Sequence, residues 1–198
     1  IDEKSNEKTR GEKYTSISNH IKSFTQLDES FNYVVCIGGD GTILKASSYV
    51  KNLGIPIIGI NTGRLGFLAK IKVVDLDNAV NAIINKNYKL SERTLVAISY
   101  TKNNKKYNVG AALNEVSITR KNTTSLITIE TKLNDDYLNT YWADGLIIST
   151  PTGSTGYSLS CGGPIIMPES KNLVITPIAP HNLNARPLVI PDSTTINL

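Results

Sequence analysis

Histidine and cysteine are scarce in this chain of 198 residues, with two of each. His20, His181, Cys36 and Cys161 stand at unrelated spacings and spell no zinc motif. Two cysteines make no disulfide framework, so reduced thiols in a cytoplasmic protein are expected. No apolar run approaches the length of a membrane span, and no secretory leader pattern is visible, so no membrane partner is expected. A dominant charge sign is lacking too: Lys+Arg 21 against Asp+Glu 17 leaves a net charge of +4. That balance suits small anionic substrates and is too modest to argue for nucleic acid. No internal repeat or low-complexity tract stands out. With 40% hydrophobic and 19% charged residues, the composition is that of a globular protein. The length fits one large domain or two small ones.

The chain is organised around Val34-Val35-Cys36-Ile37-Gly38-Gly39-Asp40-Gly41-Thr42. Residues 33–37 have the length and β-branching of a buried strand. A helical pattern opens at Thr42-Ile43-Leu44-Lys45-Ala46. Gly38 to Gly41 are therefore predicted to turn from a strand's carboxyl end into a helix amino end, where open α/β sheets bind ligands. Glycines let backbone N–H groups approach phosphate oxygens, and the helix amino end favours negative charge. Asp40 is out of place beside such a cradle. Its carboxylate either holds a metal, takes a proton from an attacking hydroxyl, or merely caps the helix.

Upstream, residues 1–13 are dense in charge of both signs and read as a solvated start. Ile17, Ile21 and Phe24 recur at helical spacing, with Thr15 or Ser16 as a cap. Downstream, the helix after Asp40 is expected to end near Asn52-Leu53-Gly54. Residues 55–60 form a second buried strand ending in Asn61-Thr62-Gly63-Arg64-Leu65-Gly66-Phe67. Strand, helix and strand within about 30 residues make a βαβ unit, with both glycine loops at the carboxyl edge of one parallel sheet. Asp75 is placed to cap a helix carrying Leu76, Val80, Ile83 and Ile84, closed by Asn85-Lys86-Asn87.

The pattern changes near Arg93. Strands are predicted over residues 95–100, 111–119, 125–133, 137–142 and 146–149, with turns at Asn103-Asn104 and Asn134-Asp135-Asp136. An α/β domain over residues 1–93 and a β-rich domain over 94–198 are expected. Thr150-Pro151-Thr152-Gly153-Ser154-Thr155-Gly156-Tyr157-Ser158-Leu159-Ser160 follows the last of these strands directly. Its glycines expose N–H groups, its hydroxyls suit a polar ligand, and the Tyr157 ring offers a stacking face. A flexible Ser/Thr/Gly loop is the alternative. Asn114-Glu115 sits inside a predicted strand, where neighbours point to opposite faces, so one of them faces inward and needs a polar partner. An exposed edge-strand pair is the alternative.

Together these residues resemble NAD kinase. Gly-Gly-Asp-Gly-Thr is shared with diacylglycerol and sphingosine kinases and, loosely, with phosphofructokinases. The Thr-Pro-Thr-Gly-Ser-Thr-Gly-Tyr run is more specific, and order and spacing match over about residues 33–191. The resemblance implies an α/β nucleotide domain with a doubly wound parallel sheet, followed by an antiparallel β-sandwich-like domain, with NAD between them. It implies transfer of the γ-phosphoryl of ATP to the 2′-hydroxyl of the adenosine ribose of NAD, a divalent metal (usually magnesium), and a homodimer or homotetramer. Carried over by position, Asp40 matches the general base. Gly38, Gly39, Gly41, Thr42 and Lys45 match the cradle and its basic NAD contact. Asn61 and Phe67 match the second loop, and Asn114 and Glu115 the nucleotide-binding pair. Asp144 matches a binding carboxylate. Thr152, Thr155, Gly156, Tyr157, Ser158, Leu159 and Ser160 match the adenine and ribose pocket, and Ala179 a late contact. Trp142 departs from the family, since many members carry a basic residue there. The resemblance also implies a βαβ unit before Tyr33 and further strands after Leu198, so the β domain is expected to be incomplete. Two rivals stand beside this reading: a related diacylglycerol-type lipid kinase, and a non-catalytic NAD(P)-binding sensor.

Overall fold

The computed structural model describes residues 24–63, 66–121 and 124–198. The expected charged start, the helix of Ile17 and Ile21 with its cap, and Arg64-Leu65 of the second glycine loop lie outside the described residues. The chain separates into two compact units, Ile1–Ala79 and Val80–Leu198.

The first unit carries a three-stranded sheet in the order β1-β2-β3, formed by β1 (Val34–Ile37), β2 (Ile57–Asn61) and β3 (Ile71–Lys72). Both pairings are parallel, with Val34 opposite Ile57 and Ile60 opposite Ile71. Helix α1 (Asp40–Val50) connects β1 to β2 and buries Ile43, Ala46 and Val50. Those three recur at intervals of three and four, which puts them on one helix face. The predicted βαβ unit is present, but α1 begins at Asp40 rather than Thr42. Only Gly38 and Gly39 form the turn, and Gly39 is the helix cap residue. A 3₁₀ turn (Val73–Asp75) runs directly into α2 (Leu76–Ile84), so Asp75 belongs to the entry turn. The division between the two units falls within α2.

The second unit is antiparallel throughout its described pairings. β4 (Val96–Lys102) and β5 (Lys105–Ala112) form a hairpin. A four-stranded sheet runs β11-β10-β9-β6, from β6 (Glu115–Thr119), β9 (Gly145–Ser149), β10 (Asn172–Ile178) and β11 (Leu188–Pro191). A three-stranded sheet runs β12-β7-β8, from β7 (Ile127–Leu133), β8 (Asp136–Ala143) and β12 (Ile196–Asn197). Their shared core includes Ile129 and Tyr141 from one sheet and Leu146, Ile148, Leu173 and Ile175 from the other. Every residue of β9 is buried. That explains its uninterrupted apolar run, because a strand covered on both faces has no polar side to alternate with. Each fully buried Leu or Ile contributes about 1.5–3 kcal/mol, so β9 is the rigid member on which the following loop is mounted.

Two turns form where expected, the second shortened because Asp136 opens β8. Asn103-Asn104 and Asn134-Asp135 both take positive φ, the pairing that two-residue hairpin turns require. One predicted strand is corrected. Residues 111–119 are not one strand, since Leu113 and Asn114 form a bend between β5 and β6. The bend exists because the Leu113 and Asn114 carbonyls turn aside to accept bonds from Thr150, whose side-chain hydroxyl takes Leu113 and whose N–H takes Asn114 at 2.8 Å.

Candidate functional site

In the first unit the site residues gather where β1 and β2 end. The Asp40 carboxylate sits at the start of α1 and accepts three backbone N–H bonds from the second glycine loop. Oδ2 takes Phe67 N–H at 2.7 Å, and Oδ1 takes Leu68 and Ala69 N–H at 2.9 and 3.0 Å. The capping alternative is thereby set aside: Asp40 is the first helical residue and Gly39 the cap, with no side-chain cap bond. Desolvation is the largest single influence on the Asp40 carboxyl and pushes it up. The three N–H donors together outweigh it and hold the group below its ordinary 3.8.

The cradle expected over residues 38–42 is narrower in the structure. Gly38 N–H donates to the Ile60 carbonyl at 2.9 Å and Thr42 N–H to the Gly39 carbonyl at 3.0 Å. Among the described residues that leaves Gly39, Asp40 and Gly41 to present N–H groups at the helix start, where an anion is favoured. Asn61 is buried, and its amide organises its own loop, donating to the Ala69 carbonyl at 3.1 Å and accepting from Gly63 N–H at 2.8 Å. Lys45 is exposed on α1, 5.7 Å above the Tyr49 ring. The Phe67 ring is 71% exposed, so this loop is held by its backbone rather than by its aromatic side chain.

In the second unit, the loop after β9 packs onto Asn114 and Glu115. A 3₁₀ turn (Thr152–Thr155) leads into the single-turn helix α3 (Tyr157–Ser160). Gly153 N–H donates to the Thr150 hydroxyl at 3.2 Å, and Gly156 N–H to the Gly153 carbonyl at 2.8 Å. The hydroxyl residues divide into two sets. Thr150, Ser154 and Ser158 are fully buried and bonded within the protein, Ser158 Oγ to Thr176 Oγ1 at 2.8 Å. Gly156, Tyr157, Leu159 and Ser160 are exposed, and Thr152 and Thr155 half-buried. Ser158 thus anchors α3 with its side chain, while its exposed neighbours are the ones available to a ligand. The flexible-loop alternative does not fit this internal bonding.

Glu115 Oε2 and Thr152 Oγ1 are buried polar atoms with no hydrogen-bond partner among the described residues. Oε2 lies under Gly156, where an added Cβ would meet it at 3.3 Å. A buried acceptor and a buried hydroxyl without partners are costly, and a ligand carrying hydroxyl groups would satisfy both. Burial pushes the Glu115 carboxyl above its ordinary 4.5. Its folded-state pKa is raised, so its stabilising contribution is present below 4.5 and lost as pH rises through the folded value. Glu115→Gln, which stays neutral, is expected to raise the neutral-pH melting temperature by about 2–4 °C, the equivalent of about 1 kcal/mol. The gain should vanish when melts are repeated below pH 4.5. A variant that melts lower than the parent at neutral pH would show that the charge is compensated.

Asp144 and Ala179 are brought together, but away from Glu115. Asp144 N–H donates to the Ile178 carbonyl at 3.0 Å, and its carboxylate pairs with Arg120 at 3.1 Å. In the register of β6 with β9, Glu115 faces Ser149 and Thr119 faces Gly145. The two groups therefore sit at opposite ends of one strand pair, about 13 Å apart along the strand. Ala179 is exposed and takes φ 43°, a left-handed conformation uncommon for a residue with a side chain. The exposed Trp142 is fixed by its backbone, its N–H donating to Asn182 Oδ1 and its carbonyl accepting from His181 N–H, both at 2.7 Å. Sequence reading missed the Phe67–Ala69 amides on Asp40 and the Arg120 partner of Asp144. Gly66 was the visible sign of the first, and nothing local signalled the second.

Residues 113–198 match the model of the ATP-NAD kinase C-terminal domain, and residues 2–88 that of the ATP-NAD kinase N-terminal domain. The chain is 60% identical over 177 residues to a protein of Flavobacterium johnsoniae named NAD kinase, covering 89% of this chain and 60% of that one. It is 58% identical over 182 residues to the NAD kinase of Christiangramia forsetii, covering 90% and 61%. The chain thus spans about three fifths of the length of these relatives. Among solved structures, yeast NADH kinase complexed with NADH superposes with a TM-score of 0.79 at 30% identity, over 92% of this chain and 59% of that one. An NAD kinase from Archaeoglobus fulgidus in complex with ATP gives 0.74 at 28% identity, over 92% and 73%.

Proposed function

The chain belongs to the ATP-NAD kinase family, and from that premise we propose that the protein transfers the γ-phosphoryl of ATP to the 2′-hydroxyl of the adenosine ribose of NAD, forming NADP. The observation that carries this reading is Asp40. A carboxylate held in its charged form at the amino end of α1, beside N–H donors that no described residue occupies, gains nothing from binding phosphate and is placed to accept a proton. That argues against the NAD(P)-binding sensor. Glu115 with Thr152, Thr155, Gly156 and Tyr157 is assigned to the nucleotide, because the orphaned Glu115 and Thr152 atoms match a ribose diol. Phosphoryl transfer depends mainly on positioning and charge neutralisation. In this chain the N–H groups of Gly39 to Gly41 and the Lys45 ammonium are assigned that work.

Magnesium is proposed to arrive on the phosphates of ATP. Among the described residues no three His, Cys, Asp or Glu side chains converge as a metal cage. Mg²⁺ commonly keeps water and substrate oxygens as most of its ligands, so no residue here is assigned to it. A homodimer or homotetramer remains part of the proposal. Its support is the split of the expected nucleotide contacts between the Glu115 and Asp144 ends of one strand pair, which a second copy would reconcile. A functional division near residue 93 is proposed, supported by the interval between the two family models matched at residues 2–88 and 113–198. A cytoplasmic setting is proposed from the two free cysteines; no helix among the described residues is long and apolar enough to cross a membrane.

The test is a coupled assay for NADP with purified protein, NAD, ATP and magnesium. NADP should accumulate in proportion to enzyme and depend on ATP. Folded protein that binds NAD and yields no NADP would favour the sensor.

A further inference from the structure

Three consecutive N–H groups, those of Phe67, Leu68 and Ala69, converge on the Asp40 carboxylate. Successive amides arranged in this way make an anion-binding concavity. Here the anion is a side chain of the same unit, 27 to 29 residues away in sequence. Gly66 closes the arrangement. A Cβ at that position would lie 2.4–2.5 Å from all three carboxyl atoms of Asp40. Those atoms are pinned by three bonds and cannot swing aside as a free side-chain end would.

The two carboxylate oxygens are not equivalent. A carboxylate has about four acceptor sites, two on each oxygen. Oδ1 accepts from both Leu68 and Ala69, so its sites are filled. Among the described residues Oδ2 accepts only from Phe67 and so keeps one site. We propose that the Phe67–Ala69 amides are a positioning cradle that anchors Asp40 through Oδ1 and leaves Oδ2 as the single oxygen open to an attacking hydroxyl, with Gly66 the residue that admits this geometry. The inference rests on the phosphoryl-transfer reading and deepens it. In the step, the acceptor O–H bond breaks and its proton passes to Oδ2. The acceptor oxygen bonds to the γ-phosphorus of ATP, and the bond to the bridging oxygen breaks with its electron pair leaving on ADP. A carboxylate held by three N–H donors is a weak base. That suffices because the acceptor hydroxyl becomes strongly acidic as its oxygen bonds to phosphorus, so its proton is taken in the transition state by a carboxylate that stays ionised at neutral pH.

The wild-type chain tests the cradle without nucleotide. Amide hydrogen exchange at neutral pH should show Phe67, Leu68 and Ala69 protected, with that protection falling at least about tenfold in Asp40→Ala. In a pH titration followed by amide NMR, the same three amides should move together, with a shared midpoint below 3.8. Amides that exchange as fast in wild type as in Asp40→Ala, or that move at separate midpoints, would overturn the cradle. Gly66→Ala tests the consequence: the shared midpoint should rise and kcat fall about 10- to 100-fold, with KM for NAD nearly unchanged. A folded Gly66→Ala protein with parental kcat and midpoint would also overturn it. Wild type that shows the cradle but forms no NADP would instead overturn the phosphoryl-transfer reading, and with it the proton-accepting role of Oδ2.

Discussion

NADP formation by the Asp40→Asn variant should fall by roughly 10²-fold or more, while NAD binding persists. The amide is nearly isosteric, so the start of α1 and the entry to the site keep their shape. What is lost is the capacity to accept a proton, and with it the contribution of a general base. A second effect follows from the hydrogen bonds. Asp40 accepts from Phe67, Leu68 and Ala69, and an amide presents one acceptor atom and one donor where the carboxylate presents two acceptors. The amide nitrogen would face an N–H donor. The variant should therefore melt about 2–4 °C lower at neutral pH, the equivalent of about 1 kcal/mol. Because the folded-state pKa of Asp40 lies below 3.8, its stabilising contribution is present above that value and lost as pH falls through the folded one. The difference in melting temperature between parent and variant should thus close in acid. Kinetics and melts together separate the two roles. Unchanged turnover in a folded variant would remove Asp40 from the chemistry, and an unchanged melt would remove it from the loop.

Much of this was readable from local pattern. The β-branched run before Gly38 gives a strand, the Ile43, Ala46 and Val50 spacing gives a buried helix face, and paired Asn and Asp residues mark the two hairpin turns. Each signal lies within a few residues of what it specifies. What the sequence hid depends on distant partners. Residues 111–119 read as one strand, and the bend at Leu113 and Asn114 is imposed by Thr150, which lies 37 residues beyond Leu113. The donors on Asp40 come from 27 to 29 residues away and are backbone groups, which carry no sequence identity. The run from Thr150 to Ser160 reads as one row of hydroxyls, yet Ser154 and Ser158 face inward and Ser160 outward. Distant and backbone partners make that division: Ser158 bonds to Thr176, while Ser154 donates to the Pro151 carbonyl and accepts from Ile166 N–H. The separation of Asp144 from Glu115 follows from strand register, which no local motif states.

Gly153→Ala should cost at least about tenfold in NAD affinity, or roughly 1.4 kcal/mol. A Cβ at Gly153 would lie 2.2 Å from the Asn114 carbonyl oxygen, 2.5 Å from its carbon and 2.8 Å from its Cα. All three are backbone atoms, so no side chain can rotate away. Asn114 cannot retreat cheaply, since its carbonyl accepts Thr150 N–H at 2.8 Å and the preceding carbonyl takes the Thr150 hydroxyl. The turn carrying Gly153 is tied to that same hydroxyl through its own N–H at 3.2 Å. One of these bonds must open. Overpacking of this kind costs about 1–3 kcal/mol in stability. It would lift Thr152, Thr155 and Gly156 away from Glu115, separating the orphaned hydroxyl from the orphaned carboxylate that are assigned to one ligand. Calorimetric titration with NAD, beside a thermal melt, reads both effects. A lower melting temperature with parental affinity would mean that the Asn114–Gly153 packing supports the fold alone, and the nucleotide assignment of Glu115 and Thr152 would have to be given up.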